Sequence, residues 1–84
     1  MKKIGSVNAA IYCTLQDKNG KVLGTTIDTP NAIAYAMAVN DKVVKSVAHY
    51  PLFGESVHTR EEYADRFSWV VKEKNIHEQY LKWN

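Results

Sequence analysis

Residues 7 to 15 alternate, with Val7, Ala9, Ile11, Cys13 and Leu15 on one side of an extended chain and Asn8, Ala10, Tyr12 and Thr14 on the other. A period of two sustained over nine residues is the signature of a half-buried strand. Asp17-Lys18-Asn19-Gly20-Lys21 follows as a turn signal, and Val22 to Asp28 returns to β-type residues, so the two segments form a hairpin. Side-chain parity selects the loop. With only Asn19 and Gly20 in the loop, Leu15 would face Gly24 and Cys13 would face Thr26, turning Leu23 and Ile27 to the wrong side. A three-residue loop of Lys18, Asn19 and Gly20 pairs Leu15 with Leu23, Cys13 with Thr25 and Ile11 with Ile27. In that arrangement Asp17 opens a type I turn and Gly20 takes the left-handed position of a G1 bulge.

Beyond Thr29-Pro30-Asn31 the chain reads Ala-Ile-Ala-Tyr-Ala-Met-Ala-Val over residues 32 to 39. Alanine content and Pro30 favour a helix. Periodicity favours a strand, because Ile33 and Met37 would lie nearly opposite Tyr35 and Val39 on a helix and no single buried face would form. A strand is expected. Val43 to Tyr50 supplies a fourth strand, and Pro51 to His58 reads as the longest irregular connection. Thr59-Arg60-Glu61-Glu62 matches a capping box and opens a helix whose stripe is Tyr63, Ala64, Phe67, Val70, Val71 and the stem of Lys74. Asn75 is its expected stop, with Ile76, Tyr80 and Trp83 spaced for a short second helix or a continuation. The fold class expected is therefore α+β: an antiparallel sheet of about four strands in two hairpins, with a C-terminal helix packed on one face.

A chain of 84 residues holds one core, so residues 1 to 84 read as a single domain. At 45% hydrophobic and 24% charged residues it has the balance of a globular protein. Met1-Lys2-Lys3-Ile4 imitates the start of a secretion signal, but Gly5, Ser6 and Asn8 interrupt the apolar run such a signal needs. No stretch approaches the roughly 18 consecutive apolar residues of a membrane span, and the lone Cys13 suits a reducing compartment. A cytoplasmic location without membrane association is expected. The net charge of only +2 does not single out nucleic acid: Lys2, Lys3, Lys18, Lys21, Lys42 and Lys45 cluster near turns, yet Asp17, Asp28 and Asp41 dilute them.

No linear pattern carries catalysis. His49, His58 and His77 have no metal-ligand spacing with each other or with Cys13, the four glycines are scattered, and Glu61, Glu62 and Asp65 are explained by helix capping. His49 is expected on a strand face, His77 on a helix surface and Cys13 in the core. The expectation is accordingly no enzyme, no metal and no cofactor. What calls for a partner is the aromatic content of the second half. Leu52 and Phe53 lie between Pro51 and Gly54 in a connection where they either fold back to plug the core or project outward. Trp69 falls off the helix stripe, and Tyr80 and Trp83 lie at the C-terminal end. Leu52, Phe53, Trp69, Tyr80 and Trp83 are the expected contact set. They suit a small non-catalytic inhibitor or regulator acting on a larger protein target, a size class that includes phage-type inhibitors. The alternatives are a homo-oligomer that sequesters a small molecule or nucleotide, formed by pairing the sheet face left uncovered, and a nucleic-acid-binding domain.

Overall fold

The structure, a computed structural model, describes residues 11–84. The beginning of the alternating segment (residues 7 to 10) and the Met1–Ile4 motif lie outside the described residues. The turn at residues 17 to 21 is built as its sequence dictates. Gly20 N–H donates to the Asp17 carbonyl at 3.0 Å, Gly20 sits at φ +83°, and Asp17 Oδ1 accepts from the N–H groups of Asn19 and Lys21 at 2.8 and 3.0 Å. A residue with a side chain would be strained at that φ, and glycine is not. The turn joins β1 (Tyr12–Gln16) to β2 (Val22–Ile27).

The register beyond the loop differs from the expectation. Gln16 faces Val22, as a three-residue loop requires, but an irregularity between Leu15 and Gln16 inserts Leu23 as an extra residue. Leu15 then faces Gly24, Cys13 faces Thr26 and Tyr12 faces Ile27. A β-bulge inverts parity for every pair past it. The inner face of β2 is therefore Gly24 and Thr26, both buried, in place of Leu23, Thr25 and Ile27.

Residues 30 to 39 form a helix, α1 (Pro30–Val39), and not the expected strand. Pro30 occupies the first turn, where its missing N–H costs nothing, and Ile33 N–H closes the first bond to the Thr29 carbonyl at 3.0 Å. The helix has no single buried face, so its large apolar residues need not share one side. Ala32 through Met37 are all buried, since α1 packs on the sheet and is flanked in turn by the C-terminal helices. A helix buried all round needs no single stripe. Tyr35 points to the C-terminal helices, its ring 5.6 Å from that of His77, while Ile33 and Met37 on the opposite side join Cys13 and Leu15 in the core. The intervening alanines allow close approach from both sides.

The second hairpin is β3 (Lys45–Tyr50) and β4 (Gly54–Thr59), so the segment expected to be irregular is a tight turn followed by a strand. β3 also pairs β1, which places Ser46 and Ala48 on the buried face beside Leu15 and Cys13. A two-residue strand, β5 (Lys82–Trp83), closes the other side. The five strands are antiparallel throughout in the order β4-β3-β1-β2-β5, and the architecture is α+β. The opposite row of the sheet, Tyr12, Thr14, Thr25, Val47 and Val57, is not buried.

The helical run after Thr59 starts where the capping box predicts, with Thr59 N–H donating to Glu62 Oε1 at 2.9 Å. It consists of α2 (Arg60–Tyr63), α3 (Phe67–Val70) and α4 (Lys74–Glu78), joined by 3₁₀ turns at Ala64–Arg66 and Val71–Glu73. Asn75 does not stop it. Alternating 3.6 with 3.0 residues per turn shortens the mean period, so residues seven apart come onto one line. The buried positions are accordingly Tyr63, Val70 and His77, with Phe67 partly buried, while Ala64 and Val71, expected on the stripe, are exposed.

Candidate docking surface

Between β3 and β4 the chain reverses over Tyr50-Pro51-Leu52-Phe53-Gly54. Pro51 at the second position of the turn presets φ, Phe53 N–H donates to the Tyr50 carbonyl at 3.0 Å, and Gly54 takes φ +87° where Tyr50 pairs with Gly54. This geometry sends the chain straight back along β3. The side chains of Leu52 and Phe53 are left at the tip, 89% and 87% exposed, the two highest values among the large apolar residues described. Of the two fates open to them in the sequence, plugging the core or projecting from it, they take the second. The base of the tip is tied down: Tyr50 Oη donates to Asp28 Oδ2 at the end of β2, and the Asp28 N–H donates to the Ile11 carbonyl at 2.8 Å. That hydrogen bond to a carboxylate is the main reason the Tyr50 phenol is pushed above its usual range, and it keeps the hydroxyl a donor.

The other expected contact residues lie elsewhere. Trp69 on α3 is half exposed, with the Arg66 guanidinium 5.6 Å from its ring and 5.1 Å from the ring of Tyr63. Arg66 is anchored by Nη1 on Asn31 Oδ1 at 3.1 Å, so this is a cation held between two aromatic rings. Tyr80 lines a shallow cavity with Tyr12, Thr25 and Lys82 on the uncovered row of the sheet. Trp83 in β5 lies over Gly24, and a Cβ added at Gly24 would stand 2.8 Å from its Cε3 and 2.5 Å from the Lys82 carbonyl oxygen. Trp83 thus closes the β2 edge while remaining 40% exposed. The tip and β5 sit on opposite sides of β1 and β2, three strand spacings or about 14 Å apart across the sheet. The five residues do not form one patch. The hairpin tip is the part that is apolar, continuous and unpacked.

The titratable groups are arranged mostly for structure. Cys13 is buried, and burial, followed by the nearby charge of Asp28, pushes its thiol up to about 11. His49 is exposed on its strand as expected. His77 corrects the expectation of a surface position: it is buried against Tyr35, with Nε2 3.0 Å from Glu73 Oε1. Lys18 and Lys42 are interleaved with Asp17 and Asp41 around a single shallow cavity, so they build no cationic stripe. Among the described residues no three His, Cys, Asp or Glu side chains gather as metal ligands, and no helix is long and apolar enough to cross a membrane. Comparison of the chain with protein-family models, curated proteins and solved structures finds no match. The signal that could have revealed the tip is Pro51 and Gly54 three residues apart between two apolar alternations, which is a turn signature as much as a loop signature.

Proposed function

We propose that this chain is a small binding module, an inhibitor or regulator, that docks on a larger protein by inserting Leu52 and Phe53 into an apolar recess of that partner. The observation that supports this reading is the near-complete exposure of two adjacent large apolar side chains on a hairpin turn whose backbone is fixed by Pro51, Gly54 and the Tyr50–Asp28 bond. Exposed large apolar groups at a defined point are characteristic of an interface anchor, and prior rigidity lowers the entropy lost on binding. Burying a leucine and a phenylalanine contributes about 1.5–3 kcal/mol each, so losing both lowers affinity by roughly two to four orders of magnitude.

The test is a double variant, Leu52→Ser with Phe53→Ser, immobilised beside the wild-type chain and exposed to the same lysate. Because neither side chain packs inside the protein, the variant's melting temperature is expected to be unchanged to within about 0.5 kcal/mol of stability. A stoichiometric partner held by the wild type and lost from the equally stable variant supports the proposal. Retention of that partner by the variant refutes it. Light scattering that shows a bare oligomer carrying an ultraviolet-absorbing ligand moves the assignment to a sequestering protein.

A further inference from the structure

β4 carries Ser56 and His58 two residues apart, on the same face of the strand. The imidazole of His58 is engaged at both nitrogens. Nε2 lies 3.1 Å from Ser56 Oγ, and Nδ1 lies 3.1 Å from Glu62 Oε2 and 3.1 Å from Tyr63 Oη. Glu62 is held on its other oxygen by the Thr59 N–H, and the His58 bond, with that N–H second, keeps its carboxyl below the usual range. Burial raises the Tyr63 phenol, which stays protonated, and the Tyr63 ring leans on the imidazole at 5.6 Å. An ionised carboxylate only accepts hydrogen bonds, so it places the imidazole proton on Nδ1 and leaves the Nε2 lone pair facing the Ser56 hydroxyl. Hydroxyl, imidazole and carboxylate are connected in the order that activates a serine for attack.

The position of the strand adds a second element. Arg60 N–H donates to the Val44 carbonyl at 2.9 Å, and the pairs Lys45 with Thr59 through Tyr50 with Gly54 continue the same register. Bonded pairs alternate in an antiparallel ladder, so the N–H groups of Ser56 and His58 face β3 and those of Glu55 and Val57 face away from it. β4 is the outermost strand of the sheet among the described residues. The Val57 N–H, next in the chain after Ser56, is therefore a donor with no ladder partner among the described residues. Donors of this kind take the charge that develops on an attacked carbonyl oxygen.

We propose that Ser56 is an activated nucleophile that accepts acyl groups from esters presented along the open β4 edge. This goes beyond docking through the hairpin tip and does not depend on it. Ser56 Oγ attacks the ester carbonyl carbon while its proton passes to His58 Nε2. The bond from that carbon to the alcohol oxygen breaks, and the departing oxygen takes the proton from His58. Water then attacks the acyl carbon, giving its proton to His58, and the bond from that carbon to Ser56 Oγ breaks as Oγ takes the proton back from His58, releasing the acid. The His58 and Glu62 side chains are 29% and 45% exposed, so the site is an open ledge suited to small or extended esters and not to an enclosed ligand.

The test uses the whole chain with diethyl fluorophosphate, which phosphorylates an activated serine with loss of fluoride and a proton, read by intact mass and peptide mapping. Single labelling at Ser56 is expected, roughly a hundredfold faster than at Ser68, an exposed serine of α3 that no histidine bonds. Ser56→Ala should abolish labelling and the release of nitrophenol from p-nitrophenyl acetate. Glu62→Gln should slow both by about two orders of magnitude through loss of the orienting carboxylate. Equal labelling of Ser56 and Ser68 in the unsubstituted chain overturns the proposal whatever the variants do. So does ester turnover that survives Ser56→Ala with an unchanged melting curve.

Discussion

Gly24→Ala should destabilise this protein although the site is a strand, where alanine ordinarily replaces glycine at a gain. The added Cβ would lie 2.5 Å from the Lys82 carbonyl oxygen and 2.8 Å from the Trp83 ring, against an ordinary contact of about 3.5–4 Å. Backbone oxygen cannot rotate away, so β5 as a whole must move by about an ångström. What it gives up is the pairing of Gly24 with Trp83 and Thr25 with Lys82, and the bonds from Asn84 N–H to the Leu23 carbonyl and from Asn84 Nδ2 to the Val22 carbonyl at 2.9 and 3.1 Å. Two to three hydrogen bonds at about 1 kcal/mol each, less about 0.5–1 kcal/mol returned by the stiffer unfolded chain, leave a net loss of about 1–2.5 kcal/mol. For a domain of this size that lowers the melting temperature by roughly 4–20 °C. Thermal unfolding followed by circular dichroism gives the number, and Trp83 fluorescence in a Trp69→Phe background reports whether β5 has left its place. A second arm isolates the cause: in a chain ending at Leu81 the obstacle is gone, so Gly24→Ala should there be neutral or stabilising, and the difference between backgrounds is the coupling energy. Equal effects in both backgrounds would refute the steric argument, as would a full-length variant that melts at or above the wild type.

Acid should weaken the β4–α2 junction through Glu62. Its carboxyl is lowered in the folded state, first by the His58 bond and then by the Thr59 N–H, so the stabilisation is complete above the ordinary glutamate range and is lost as pH falls through the lowered value. Glu62→Gln should remove that acid-side dependence from a stability-against-pH curve, and an unchanged acid limb would show that the contact is not formed in solution. Cys13 should be silent to a thiol reagent at pH 8 in the folded protein, because burial pushes the thiol up to about 11 and removes access, and reaction should follow unfolding. Immediate stoichiometric labelling in native buffer would place Cys13 outside the core.

The parts of this fold that could be read from the chain are those decided by neighbours in sequence. The Asp17–Gly20 turn is fixed by an aspartate that caps two N–H groups and by a glycine in the left-handed region, all within five residues. The start of the C-terminal helices is fixed by Glu62 and Thr59. The parts that could not be read depend on a third element. Leu23 is bulged out of the β1–β2 ladder, and Gly24 in its place admits the close approach of β5, which joins β2 from the far end of the chain. α1 is legible in its alanines and in Pro30, but its periodicity points to a strand because Tyr35 and Ile33 answer to different layers, one to His77 and one to the sheet core. β4 is not legible because Glu55, Ser56 and His58 are polar on a strand that is the edge of the sheet among the described residues, so the usual apolar alternation is absent.

The same distinction applies to the candidate sites. Leu52 and Phe53 were visible as residues in need of a reason, but their direction depends on Gly54, whose positive φ turns the chain back before either side chain can reach the core. Once β4 pairs β3 over its full length, with Tyr50 bonded to Asp28 below the turn, the tip has no route inward. Its exposure is thus a consequence of the hairpin and would persist without any partner, so under the proposed docking the two apolar side chains would already be in place before contact. Ser56, His58 and Glu62 show the complementary case. Their spacing of two and four matches no linear motif, because the first interval is measured along a strand and the second crosses the strand-to-helix junction at Thr59. Only the change of period at that junction, from two residues to nearly four, brings the carboxylate to the far side of the imidazole from the serine.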